Sequence, residues 1–118
     1  MFHTGTYVQS DILAVAELAR RYPATEFVAG FGGFTDMWFE LPGAIASVPN
    51  LHLDASMLWG EAIRQIAAAH GPERVLFGSA EPRNRYAVAL RSLERLNLED
   101  HARQAILAGN ARRIFRWA

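Results

Sequence analysis

The 118-residue sequence has no cysteine and no lysine. Without cysteine there is no disulfide, no thiol nucleophile and no thiolate metal site. Without lysine there is no Schiff-base amine and no phosphate-loop lysine. Excess charge of either sign is also missing: twelve basic residues, all arginine, balance twelve acidic ones. A neutral chain without a basic run has no field that draws it to nucleic acid or to an anionic membrane surface. Neither is therefore expected as a partner. No apolar run approaches the ~20 residues of a membrane span. The first residues lack the charged and apolar regions of a secretory signal. The expectation is a soluble, cytoplasmic protein.

Core-forming residues are plentiful. Hydrophobic side chains make up 51% of the chain, with seven Phe and three Trp, and that composition is incompatible with disorder. One domain is expected over residues 1–118. Residues 1–5 read as the end of a strand. Ser10 or Asp11 caps a helix in which Ile12, Leu13, Ala16, Leu18 and Ala19 recur at helical spacing until Pro23 stops it. "EFVAG" (26–30) reads as a buried strand and "FGGFTD" (31–36) as a glycine-rich loop. A helix over 37–47 is broken by "LPG" at 41–43. "NLHLDAS" (50–56) alternates Leu51, Leu53 and Ala55 with His52, Asp54 and Ser56, a strand signal. A helix over 58–70 ends on Gly71 and Pro72, and "RVLFGS" (74–79) is the last strand. Helices follow over 84–96, 99–108 and 110–117. Strands alternating with helices imply a parallel sheet with crossover connections.

The stretches "HTG" (3–5), "RRYPATEFVAGFGG" (20–33), "VPNLHLDAS" (48–56), "HGPERVLFGSAEP" (70–82) and "ILAGNARRIF" (106–115) together resemble the amidohydrolase-related family. That resemblance implies an α/β fold, a (β/α)8 barrel, and metal-dependent hydrolysis or decarboxylation with zinc or manganese. It also implies that the chain spans only the second half of the barrel: a half TIM-type barrel of about four parallel strands with flanking helices. The family's fifth-strand histidine falls on His3, the one candidate metal ligand. Its sixth-strand histidine falls on Gly30, and its eighth-strand aspartate on Ala80. The first-strand His-x-His pair has no counterpart. A catalytic cation needs about three protein ligands with one position left for water. One imidazole does not provide that. The resemblance therefore implies a domain that is catalytically impaired on its own, with no metal held on its own and no catalytic residue assigned. The alternative is a non-catalytic half-barrel that dimerises or binds a partner.

The remaining polar candidates have structural readings. If position 80 faces the barrel axis, Glu81 points away from it. His52 and Asp54 share one strand face, where hydrogen-bonded structural roles are expected. Ser56 and Ser79 have no evident base and no nucleophile elbow. "GFGGF" (30–34) lacks the spacing of a phosphate cradle. His70 belongs to a helix C-terminus and His101 to a polar helix face. Phe31, Phe34, Trp38 and Phe39 line either a pocket or a partner surface. Half a barrel has two sheet edges and one apolar face without cover. The chain is therefore expected to form a homo-oligomer or to pair with a complementary chain.

Overall fold

The carboxylate of Asp11 accepts a hydrogen bond from the Leu13 amide at 2.7 Å and starts α1, Ile12–Arg21. This is the cap the sequence predicts. The computed structural model describes residues 1–4, 11–33 and 38–117. Residues 34–36 of the predicted loop, with Phe34, and Met37 of the predicted helix lie outside the described residues, as does the side chain of Trp38. Four strands follow in chain order: β1 Phe2–His3, β2 Phe27–Gly30, β3 Leu51–Asp54 and β4 Val75–Leu76. They pair in parallel in that same order, with Phe2 opposite Ala29, Val28 opposite His52 and Leu53 opposite Val75.

The strands are shorter than predicted, but their positions hold. Helix α3, Gly60–His70, ends at Gly71 (φ 90°) as expected. The "LPG" segment does not break a helix. Leu41–Ser47 is continuous (α2), with Pro42 in its first turn, where a missing N–H leaves no bond unmade. Helix α4 spans Tyr86–Glu94. The predicted C-terminal pair is one helical run: α5 Asp100–Gln104, a π turn over Ala105–Gly109, then α6 Asn110–Phe115.

Phe27, Ala29, Leu51, Leu53, Ala55 and Val75 pack with Ile12, Leu41, Ile45, Ile63, Ile66 and Ile106 into one apolar core between sheet and helices. The opposite sheet face carries Val28, His52, Asp54 and Leu76. The sequence predicts an uncovered face there, yet these residues are 2, 2, 7 and 4% exposed. Residues 113–116 face Val28 across a cleft of about 470 Å³ that Glu26 also lines. The chain's own C-terminal helix thus approaches the face that the rest of a barrel would cover. Among the described residues no helix is long and apolar enough to cross a membrane.

Candidate functional site

In parallel β/α sheets, chemistry sits at the C-terminal strand ends. Here that end is built from His3–Thr4, Gly30–Gly32, Asp54–Ser56 and Gly78–Arg83. Thr4, fully buried, donates both its amide and its hydroxyl to the Gly30 carbonyl, each at 2.9 Å. This fixes His3 directly opposite Gly30. His3 is exposed, and its ring lies 4.5 Å from that of Phe31. The guanidinium of Arg83 stands 5.9 Å from the centre of the same Phe31 ring, a cation–π contact.

Asp54 is the buried carboxylate of this end, and neighbouring groups occupy it. Its Oδ2 accepts from the Phe31 amide (3.2 Å) and the Ser56 hydroxyl (2.8 Å), and its Oδ1 from the Ser56 amide (3.0 Å). Gly78 packs against it: a Cβ there would lie 2.1 Å from Oδ1. Two non-glycine residues of this end hold left-handed backbone, Phe31 at φ 63° and Ala80 at φ 58°. Each costs on the order of 1–2 kcal/mol, and strain of this kind concentrates at functional ends of a fold. Neither position carries a metal donor.

The structure separates His52 from Asp54, although they share a strand face. The Nε2 of His52 lies 2.6 Å from Oε2 of Glu26, the residue preceding β2. Burial drives the His52 pKa down, and the Glu26 carboxylate opposes that only in part. Burial thus outweighs the acidic partner in the direction of the shift. Glu81 is exposed. Ser56 serves Asp54. His70 ends α3 as expected, and His101 is exposed beside Glu99 at 3.4 Å. Of the aromatic set, Phe31 joins the site and Phe39 is 64% exposed.

Sequence reasoning missed three polar residues at the other end of the strands. The Asn50 amide reaches the carbonyls of Ala19, Tyr22 and Thr25 at 2.8–3.0 Å. Arg74 reaches those of Ile45, Val48 and Leu51 at 2.6–3.1 Å. Asn110 reaches those of Pro72 and Val75 at 2.8 and 2.7 Å. The available signal was a polar residue placed just before a strand, in "VPN" and "PER".

A family model described as amidohydrolase matches residues 1–117. No curated protein matches the sequence. Among solved structures, the chain is similar to an uncharacterised TIM-barrel protein from Bordetella bronchiseptica: TM-score 0.79, 24% identity, 97% of this chain and 44% of that one. It is similar to 5-carboxyvanillate decarboxylase from Sphingomonas paucimobilis: TM-score 0.65, 22% identity, 89% and 37%. It is also similar to a dihydroxybenzoic acid decarboxylase from Polaromonas, solved with manganese and 2-nitroresorcinol: TM-score 0.70, 20% identity, 89% and 38%. The fold is therefore that of a partial TIM barrel, spanning less than half the length of these neighbours.

The described residues do not suit the cation that the family implies. No group of three or more His, Asp or Glu side chains comes together among them. Asp54 accepts from three internal donors. Positions 30 and 80 are Gly and Ala, whose side chains carry no donor atom.

Proposed function

The chain belongs to the amidohydrolase family, and we propose that it is a half-barrel without hydrolase or decarboxylase activity of its own, acting as an associating module. One observation carries this reading. By the family resemblance the expected ligand positions at the strand ends fall on Gly30 and Ala80, and the nearby Asp54 carboxylate accepts from Phe31 and Ser56. A bound divalent cation lowers the pKa of its water to about 7; one rim imidazole cannot hold such an ion.

The partner in this proposal is a second copy of the chain, or a complementary chain carrying the missing strands. The sheet supports it, because β1 lies at an edge with one strand neighbour in the sheet. The same proposal places the chain in the cytoplasm, since a cysteine-free sequence needs no oxidising compartment. Equilibrium dialysis against zinc or manganese, followed by elemental analysis, tests the catalytic half. The expected result is far less than one equivalent, unchanged in His3→Ala. One full equivalent that His3→Ala abolishes would overturn it.

A further inference from the structure

The two sheet edges are not equivalent. In β4, the Leu76 carbonyl faces β3, where it accepts from the Ala55 amide at 2.8 Å. Strand geometry then turns the Val75 carbonyl and the Phe77 amide outward. Both are already taken. The Phe77 amide donates to the Ile106 carbonyl at 2.9 Å. The Val75 carbonyl accepts from the Asn110 side chain at 2.7 Å. The same side chain holds the Pro72 carbonyl, and Arg113 holds the Glu73 carbonyl at 2.9 Å.

The π turn makes this fit possible. In an α-helix the Ile106 carbonyl would accept from the Asn110 amide. Here that amide bonds to the Ala105 carbonyl, one residue further back. The Ile106 carbonyl is thereby freed to turn to β4. Ile106 is fully buried and Asn110 is 3% exposed, so the contact belongs to the packed interior.

We propose that residues 106–113 are a latch on the β4 edge, standing in for a fifth strand and closing that edge to a second copy of this chain. The outward groups they occupy are the ones a parallel strand would use. The strand available to use them is the partner's β1, which lies at the far edge of the same sheet. Pairing β4 of one copy with β1 of the next is heterologous and can repeat without closing. The latch therefore holds the protein as a discrete species, and its release exposes a second association edge. This holds whether or not a cation binds at the strand ends.

The test is hydrogen exchange together with sedimentation on wild type and Asn110→Ala. In the wild type, the Phe77 amide should be protected on the same scale as the Ala55 amide. In Asn110→Ala it should exchange about tenfold faster relative to Ala55, and the protein should form larger species that grow with concentration. A freely exchanging Phe77 amide in the wild type overturns the proposal. So does an Asn110→Ala protein, folded by circular dichroism, that sediments as the wild type does. Should Asn110→Ala not fold, Arg113→Ala removes one exposed bond and carries the same comparison. The expected change is then smaller in the same direction, and no change overturns the proposal.

Discussion

At the start of β3 and β4, Asn50, Arg74 and Asn110 each hold two or more backbone carbonyls. At the finish of β2 and β4, Phe31 and Ala80 sit in left-handed backbone, and Asp54 is absorbed by its neighbours. The first end does one job, satisfying groups that helices and strands leave open when they stop. The second gathers strained backbone and one buried carboxylate. Under the proposed function, the scaffold of a barrel and the chemistry it carries are separable in one short chain. Asn50 needs only a turn to cap, whereas a cation needs several donors converging from different strands.

The largest expected effect lies at the first end. Asn50→Ala strips the donor from three carbonyls and should cost about 2–4 kcal/mol in urea unfolding. A loss under about 1 kcal/mol would mean that water replaces the amide easily and the contrast between the ends is weaker than drawn. Next comes Gly78→Ala, which drives a methyl into Asp54. It should cost about 1–3 kcal/mol, read by the same method. Unchanged stability would show that Asp54 is free to move.

Much of the frame was legible in the sequence because its signals are local. Asp11 announces α1, Gly71 ends α3, and the apolar spacing of 51–55 marks β3. What was not legible depends on contacts between distant segments. The burial of His52 and its pairing with Glu26 follow from a parallel register between β2 and β3, not from either segment alone. The left-handed backbone of Phe31 and Ala80 has no local signal, since neither is the glycine or asparagine that such a conformation favours. Pro42 looked like a break because its position in the first turn depends on where α2 starts. Of the site, the assignment of Gly30 and Ala80 to ligand positions rests on the family resemblance alone. The hydrogen bonds from Phe31 and Ser56 to Asp54 needed the fold.

Acidification should separate the ends further. The His52 pKa is lowered in the folded state by burial. Below the unfolded value near 6.5, the unfolded chain binds the proton more readily, so stability falls as pH drops from about 7 towards 5. The unfolding midpoint followed across that range should decline, and His52→Gln should flatten the decline. An equal slope in that variant would assign the effect elsewhere. The smallest expected change is Ala80→Gly, which relieves the left-handed conformation and should gain about 0.5–1 kcal/mol. A loss instead would mean that the Ala80 methyl packs usefully.

The separation of frame from chemistry is tested most directly by titrating manganese into the wild type and into Gly30→His/Ala80→Asp, in which the Met1 side chain, 2.9 Å from a Cβ at position 30, must swing aside and the Phe2 carbonyl and His3 ring, at 3.0 and 3.2 Å, must give. The account predicts no stoichiometric binding by the wild type and a gain of at least about a hundredfold in the variant, because the strand ends still converge. One equivalent bound by the wild type, or a folded variant that binds no better, would contradict it.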